Sequence, residues 1–271
     1  MIIKRVQFDV SLFAAIRFFE VDAVETLSSQ NKLERCIITE TPLLTLQTIV
    51  DSMAKKGYRN NSERLDAYLA KIRKVLKNIG TSLNSLHRQN IVHGNLHSEC
   101  CGKFEDGWKL SGFLGAQSFG KPISTSYMAY STPPESITFK GARCHLSKTI
   151  TASSSLDIWA FGRLMYEVLV GRPLMPLDFH EDVKQDQKYL YCLGNWNQDN
   201  LIDIVTSIED SGNGTLAADL ISHCLGKRPE LRPKSMEEVL SHPYWTAPSS
   251  QRRSTAGTGR YSSASKPRFY A

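Results

Sequence analysis

The side chains of this chain that could do chemistry are concentrated between Asn90 and Phe119. His93, Asn95 and His97 alternate in this stretch, and Glu99 and Cys100 follow them. A histidine can act as a general base near neutral pH, and a carboxylate can take a proton or hold a cation. An asparagine amide can orient a hydroxyl group but cannot accept its proton. The question is whether these residues form a site or pack inside the fold.

The acidic residues of the stretch suggest no site. Glu99, Glu105 and Asp106 are the nearby carboxylates that could hold a metal in an unusual way. We interpret them as solvated loop charges, because such residues lie mostly at the surface. His93 is interpreted as a packed histidine and not as a general base. No metal site is therefore predicted.

The cysteines indicate a reduced protein. None of the six forms a CxxC pair, and their spacing is not that of a zinc site. Most of them fall in apolar runs, where a free thiol behaves as a small hydrophobic group. Cys100 and Cys101 are accordingly predicted to pack in the core and not to form a redox switch. A cytoplasmic location is the simplest interpretation.

The elements that must position these residues are a strand-rich start and a larger helical body. Ala15–Val24 and Cys36–Thr39 mix aromatic and β-branched residues with polar ones and predict a hairpin. A long helix follows, with Asn60 as its cap and apolar residues at three- and four-residue steps from Leu65 to Leu86.

A second long helix is predicted from Leu156 to Val170. It is apolar nearly all round and therefore belongs in the middle of a domain. Ser155 is its predicted cap, and Gly171 is expected to close it in a left-handed conformation. Shorter elements are two strands and two helices, at Ile91–Val92, Trp108–Leu110, Leu216–Leu225 and Ser235–Leu240.

Composition and charge exclude some function classes. The chain has 271 residues, is 41% hydrophobic and 22% charged, and carries a formal net charge of +6. Residues 246–271 contain five basic residues and no acidic one, so they account for +5 of that charge. The rest is nearly neutral, which argues against a nucleic-acid-binding domain. The Ser-rich basic tail has too little apolar surface to fold, and no apolar run approaches the roughly 18 residues of a membrane span.

Five short motifs occur in a specific order along the chain. They are IVHGNL at Ile91–Leu96, WKLSGF at Trp108–Phe113, YSTPPE at Tyr130–Glu135, DIWAFG at Asp157–Gly162 and RPELRPKSMEEVLSHPYW at Arg228–Trp245. They resemble the IVHRDL catalytic loop, the strand before DFG, the APE segment, the DxWxxG helix and the closing RPT…HPWF segment of serine/threonine protein kinases. The resemblance covers roughly residues 1–245. It implies an α+β, protein-kinase-like fold with a reduced strand-rich N-lobe and a mainly helical C-lobe, and a helix near Asp182–Trp196.

At the positions that the resemblance assigns to phosphoryl transfer, the side chains have the wrong chemistry. Asn95 stands for the catalytic aspartate, His97 for the loop lysine, Cys100 for the metal-binding asparagine and Gly112 for the DFG aspartate. A thiol is a soft ligand poorly matched to Mg²⁺, and glycine offers no ligand. Gly94 replaces the arginine that pairs with activation-loop phosphates. No intact catalytic residue is therefore expected.

The start of the chain allows two alignments. No GxGxxG precedes a strand. In one alignment Ile2–Lys4 is the strand of the nucleotide-binding lysine, with Lys4 as that lysine and Glu20 as its partner. In the other, which we favour, Ala15–Val24 and Arg35–Thr39 are the fourth and fifth kinase strands, and the phosphate loop and lysine strand are missing.

The residues that the resemblance assigns to holding the fold are retained. Glu135 and Arg232 match a buried ion pair between the activation segment and the last helices. Asp157 matches an acid that hydrogen-bonds the catalytic-loop backbone, and His93 matches the histidine that braces this loop. Trp159 and Gly162 are the other matching residues of the central helix.

These observations predict a kinase-like domain over residues 1–245, with a partial N-lobe to about residue 40 and a C-lobe over 41–245. The expected function is a catalytically inactive scaffold or regulatory module that binds protein partners, with no cofactor, nucleic acid or membrane span. One alternative is a weak or atypical serine/threonine kinase that uses ATP and Mg²⁺. The other is a fragment of a longer kinase gene product.

Overall fold

The protein is described by a computed structural model over residues 16–20, 35–56, 62–128, 131–141, 143–175 and 186–247. Its side chains are described over residues 40–52, 63–128, 131–141, 143–175 and 186–247. The predictions for Lys4, for the cap Asn60 and for most of the basic tail lie outside the described residues.

The strand-rich start is an antiparallel pair. Strand β1 (Ile16–Glu20) runs beside β2 (Arg35–Thr39), with Ile16 opposite Thr39 and Glu20 opposite Arg35. The predicted pairing is confirmed over these residues, and the rest of the predicted first strand lies outside the described residues. Aromatic and β-branched residues at these positions favour the extended backbone.

Two helices follow. Helix α1 (Leu46–Lys56) was not predicted, and it begins where the Thr45 hydroxyl accepts the Thr48 backbone N–H at 3.4 Å. Helix α2 (Ser62–Arg88) is the predicted long helix. Its apolar stripe is buried from Ile72 onward and half-buried in its first turns. Burial of this stripe places the end of α2 beneath the motif-bearing loops.

The central helix, α3, spans Ser154–Val170 and is buried on nearly every side. The predicted cap Ser155 is wrong: the helix begins earlier, and Ser153 occupies the N-cap position with its hydroxyl 2.8 Å from that of Ser155. The C-terminal prediction is confirmed. Gly171 has φ 71° and ψ 24°, the left-handed conformation that glycine adopts at low cost.

Short antiparallel strands lie between α2 and α3, and one more, β3 (Leu44–Thr45), precedes α1. The strands after α2 are β4 Ile91–Val92, β5 Cys101–Phe104, β6 Gly107–Leu110, β7 Gln117–Ser118, β8 Pro122–Ser124, β9 Ile137–Lys140, β10 Arg143–Leu146 and β11 Thr149–Thr151. Strand β5 is flanked by β3 and β6, and β4 pairs with β7, β8 with β11, and β9 with β10. The predicted strands at Ile91–Val92 and Trp108–Leu110 are confirmed.

The described C-terminal part is helical. Its helices are α4 (Gln187–Gly194), α5 (Gln198–Asp210), α6 (Thr215–Cys224) and α7 (Met236–Ser241). Helix α5 was not predicted; Asn197 caps it by accepting the N–H groups of Asp199 and Asn200. The described part of the helix predicted near Asp182–Trp196 is α4.

The core lies around α3, between α2 and the C-terminal helices. Trp159 of α3 meets Trp196 edge to face, with ring centroids 5.2 Å apart. Both indole N–H groups donate to buried carbonyls, those of Thr132 and Leu225. The α+β fold class is confirmed. In the described part of the chain, no helix has both the length and the apolar character needed to cross a membrane.

Candidate functional site

Asp157 organises the loop that carries the motif HGN. It is buried in the first turn of α3, and its Oδ1 accepts the Gly94 N–H at 2.9 Å. Its Oδ2 accepts the backbone N–H of His93 and the Nε2–H of His87, both at 2.8 Å. Burial opposes ionisation of this carboxyl, but these hydrogen bonds and the nearby histidines outweigh it and lower the pKa of Asp157. The loop backbone is therefore fixed from below by one carboxylate.

His93 braces the same loop with both ring nitrogens. Its Nε2 donates to the carbonyl of Ser111 at 2.8 Å, and its Nδ1 accepts the Asn95 N–H at 3.3 Å. Complete burial lowers the pKa of His93, which favours a neutral ring. Because neither nitrogen is left for another group, this histidine connects two loops and is not placed to act as a base.

Asn95 is half-buried beside His93. Its Oδ1 is buried and has no hydrogen-bond partner among the described residues, and its backbone carbonyl accepts the Cys100 thiol at 3.4 Å. The side chain can orient a hydroxyl group but offers no basic atom.

The Cys100 thiol occupies the space next to Gly112. Gly112 has φ 79°, and a Cβ atom built there would lie 2.5 Å from Cys100 Sγ. Burial raises the pKa of Cys100 to about 12, so the sulfur carries a proton at neutral pH. This side of the loop therefore presents a neutral thiol and a bare backbone where a carboxylate would be needed to hold a hard cation.

His97 is half-buried and neutral at physiological pH. Burial is the main reason that its pKa falls to about 4, and the electrostatic influence of the neighbouring His93 and Arg163 acts in the same direction. The side chain at this position therefore does not supply the permanent positive charge of a lysine.

The acidic residues of this region differ in their surroundings. Glu99, Glu105 and Asp106 are all exposed, and Asp106 also pairs with the buried amine of Lys109 at 2.9 Å. Glu40 binds the same amine at 3.0 Å, and the Phe104 ring lies 5.3 Å from it. The motifs did not predict this cluster; its one signal in the sequence is a lysine inside the strand, between Trp108 and Leu110.

Arg232 anchors the segment that ends at Glu135. Its Nη1 and Nη2 donate to the Glu135 carboxylate at 2.8 and 2.6 Å. Its remaining N–H groups donate to the carbonyls of Gly226, Ser155 and Lys227. The guanidinium carbon lies 5.0 Å from the centroid of the Trp159 ring, a stacking contact that the motifs did not predict.

Two further motif glycines stand where side chains do not fit. A Cβ atom at Gly162 would lie 2.6 Å from Cys224 Cβ, so the backbone of α3 packs directly against the Cys224 side chain of α6. Gly94 has φ 75°, and a Cβ atom there would lie 2.6 Å from the Gly115 carbonyl oxygen. The Gly115 carbonyl therefore leaves no room for a side chain at Gly94, the position that matches the kinase arginine.

Away from this loop, Asp219, His223 and His242 lie close enough to share a cation. His242 Nδ1 accepts the Tyr244 N–H at 3.1 Å, so the proton of the neutral ring is on Nε2, which donates to Asp219 at 2.9 Å. His242 therefore presents an N–H group and not a lone pair to Asp219, and a metal bound to its Nε2 would break the hydrogen bond from Tyr244. That no metal binds stays a prediction.

Comparison with known proteins adds the family. The model of the protein kinase domain matches residues 20–245. The alpha subunit of the inhibitor of nuclear factor kappa-B kinase from Gallus gallus is 22% identical over 196 residues, which are 66% of this chain and 25% of that protein. A calcium and calcium/calmodulin-dependent serine/threonine-protein kinase from Oryza sativa subsp. japonica is 26% identical over 178 residues, or 63% of this chain and 30% of the relative.

Cyclin-dependent kinase-like 2 from Rattus norvegicus is 30% identical over 129 residues, which are 46% of this chain and 23% of that protein. The matches therefore cover between 23% and 30% of the length of these three relatives. The family match extends over most of the chain and over all five motifs. The chain belongs to the protein kinase family.

Proposed function

We propose that this kinase-family domain works as a catalytically inactive scaffold or regulatory module that binds protein partners. One observation carries the proposal: the protonated Cys100 thiol lies against the backbone of Gly112, where phosphoryl transfer requires a carboxylate on Mg²⁺. A missing ligand alone could be restored by one substitution. Here the vacated space is also taken by a neighbouring side chain.

The other aligned positions support the same conclusion. Asn95 has no basic atom for the substrate proton, and His97 is neutral near pH 7. Each of these groups normally neutralises or moves charge in the transition state, and removing one such group costs orders of magnitude in rate. The groups that hold the loop, Asp157 and His93, keep their hydrogen bonds.

The competing candidate is a weak or atypical serine/threonine kinase with ATP and Mg²⁺ as its cofactors. The observation in its favour is the intact support of the loop by Asp157. The relatives above are named as kinases, so inherited activity is the alternative to test.

The decisive experiment combines nucleotide binding with turnover. We expect a thermal-shift titration with ATP to give the same result with and without Mg²⁺, and radiolabelled ATP to yield no phosphorylated protein. A Mg²⁺-dependent rise in melting temperature together with turnover lost in Asn95→Ala would overturn the proposal.

A reversion series sharpens this test. Gly112→Asp alone should lower the melting temperature, because its Cβ meets Cys100 Sγ and its backbone is left-handed. A triple variant tests for a latent catalytic site. It combines Cys100→Asn and Gly112→Asp, which supply metal ligands, with Asn95→Asp, which supplies a base. We expect this folded triple variant to remain inactive, and Asn95→Asp alone is the matched control.

We also propose a reducing, cytoplasmic location. The proposal is supported by Cys100, Cys101, Cys144, Cys192 and Cys224, which are free thiols in the described part of the chain. Fractionation of cells that express the tagged chain, followed by thiol labelling, tests it; recovery in a secretory compartment would contradict it.

A further inference from the structure

The segment from Gly107 to Leu156 is almost free of acidic residues. Its one carboxylate is Glu135, and Arg232 binds both of its oxygens. Lys121, Lys140, Arg143 and Lys148 are exposed basic residues of the same segment. A segment that carries several exposed cations and a single carboxylate, which is already paired, attracts anionic partners.

The positive charge is concentrated on one face of the β9–β10 hairpin. Lys140 lies directly opposite Arg143, and Thr138 opposite His145. Residues directly opposite each other share a face of the pair, and all four are exposed. We call these four residues the hairpin face. None of its basic side chains forms an ion pair with a carboxylate among the described residues.

The other face of the hairpin is attached to the body of the domain. Ile137 and Cys144 are buried there, and the Phe139 ring lies close to Gly194 of α4. The Gln187 amide bonds both backbone groups of Cys144, donating to its carbonyl at 3.1 Å and accepting its N–H at 3.3 Å. The hairpin face is therefore presented on a fixed support.

The pairing of Lys140 with Arg143 has a cost. Like charges directly opposite in an antiparallel pair destabilise it, and this pair closes the turn at Gly141. A hairpin selected for stability alone would carry an opposite charge at one of the two positions. An anionic partner that binds between the two cations removes this cost.

We propose that the hairpin face binds an acidic segment of a partner protein, rich in carboxylates or phosphorylated. Arg143 can donate two parallel hydrogen bonds to one carboxylate or phosphate group, and Lys140 adds a point charge. Lys148 extends the positive surface toward β8, since its carbonyl accepts the Thr125 N–H. A peptide is favoured over nucleic acid because residues 1–245 carry a net charge of only +1 with this patch included.

This inference rests on the proposed interaction role and identifies a binding surface and partner class for it. The test uses the full chain with Arg252, Arg253, Arg260, Lys266 and Arg268 changed to Gln, so that the basic tail does not contribute. The probe is a fluorescent peptide of ten glutamates, with ten glutamines as the neutral control and a ten-nucleotide oligothymidine as the second anion. Binding is followed by anisotropy in low salt without nucleotide.

Charge reversal should separate binding from stability. We expect Lys140→Glu with Arg143→Glu to raise the Kd for the glutamate peptide about tenfold. Lys140→Glu alone should also weaken binding, while its melting temperature stays level or rises because a like-charge pair becomes an opposite-charge pair. The matched controls are Lys74→Glu, alone and with Lys77→Glu, on the exposed side of α2.

The remaining outcomes oppose the proposal. A Kd unchanged by reversal at the hairpin face, or no binding by the tail-neutral chain, overturns it. Equal losses for the α2 controls would mean that only net charge is sensed. Stronger hairpin-dependent binding of oligothymidine would assign the face to nucleic acid. Kinase turnover by the same protein would contradict the proposed function but not this inference, because the binding assay contains no nucleotide.

Discussion

At the scale of single residues, Arg232 shows how much of this molecule is devoted to holding its loops. Two of its N–H groups bind Glu135, and the others bind three backbone carbonyls. The guanidinium is fully buried and lies over Trp159. Such a group is strongly stabilising only as a complete set, because a buried charge without its partner is costly.

Glu135→Gln should therefore lower the free energy of unfolding by about 3–5 kcal/mol. Arg232→Met should cost more, because it also leaves the carbonyls of Gly226, Ser155 and Lys227 without donors. Urea unfolding measures both variants. The control is Glu237→Gln, which breaks the exposed pair with Arg88 and should change stability by under about 1 kcal/mol. Equal losses of stability for Glu135→Gln and Glu237→Gln would contradict the role of Glu135 as the partner of a buried charge.

The lowered pKa of His97 predicts how the free energy of unfolding changes in acid. Its pKa is near 4 in the folded protein, against 6.5 for an ordinary histidine. Between these two pH values the unfolded chain binds a proton that the folded chain does not, so the free energy of unfolding falls as pH decreases. From pH 7 to pH 5, His97→Gln should lose about 1–2 kcal/mol less stability than the natural sequence.

The same urea experiment at the two pH values measures this difference. His93 acts in the same direction in both proteins, since burial lowers its pKa as well. The pKa of Asp157 is also lowered, so its own contribution is lost only at more acidic pH. Identical pH dependence for His97→Gln and the natural sequence would show that His97 is more solvated than its position indicates.

The sequence identified motif residues by type and order, but not all of their contacts. The pairing of Glu135 with Arg232 followed from the motifs, because both residues stand at fixed places in them. The contact between Cys100 Sγ and Gly112 could not be predicted from the motifs, because the spacing of residues along the chain does not reveal a close contact across a loop. Lys109 was missed because a lysine in a strand is usually exposed, and only the fold brings Glu40 and Asp106 to it.

At the scale of elements, the contact of α3 with α6 depends on Gly162. A methyl group at this position would lie 2.6 Å from Cys224 Cβ. Gly162→Ala should therefore lower the free energy of unfolding by about 1–3 kcal/mol, although alanine is the better helix former. Thermal and urea unfolding measure the loss.

Second substitutions at Cys224 test whether its Cβ atom causes this loss of stability. Cys224→Ala keeps Cβ and should not rescue Gly162→Ala, whereas Cys224→Gly removes Cβ and should recover part of the loss. Equal behaviour of the two double variants would mean that the helices separate and do not meet through these atoms.

The long apolar stripe of α2 and the apolar surface of α3 indicated both helices. Helices α1 and α5 are shorter and were not predicted, although each carries core-packed apolar residues at helical spacing, such as Ile49 and Val50 in α1 and Ile204 and Ile208 in α5. The start of α5 was also missed because the capping box of Asn197 with Asn200 departs from the usual Ser/Thr and Glu pattern. The cap of α3 was misplaced because Ser153, Ser154 and Ser155 are chemically equivalent, and backbone geometry chooses among them.

At the scale of the whole molecule, the residues that hold the fold differ from those that would act on a nucleotide. The kinase-family body depends on the apolar helices and on a few buried polar groups such as Asp157. These residues are independent of the groups that would contact a nucleotide. A kinase-family sequence can therefore lose the nucleotide-contacting groups and keep the fold. This is why the fold could be predicted from five motifs while the activity remains a proposal.

The proposed boundary between the domain and the basic tail leads to the last prediction. Trp245 is buried, stacks edge to face on Tyr244 with centroids 4.8 Å apart, and donates to the Val239 carbonyl at 2.7 Å. Trp245→Ala should therefore cost about 3–5 kcal/mol of unfolding free energy. Deleting residues 248–271 removes five positive charges but none of these contacts, so it should leave that free energy within about 0.5 kcal/mol. Urea unfolding of the two proteins beside the full chain makes the comparison. A large loss on deletion would mean that the tail packs on the body and that the boundary at residue 245 is wrong.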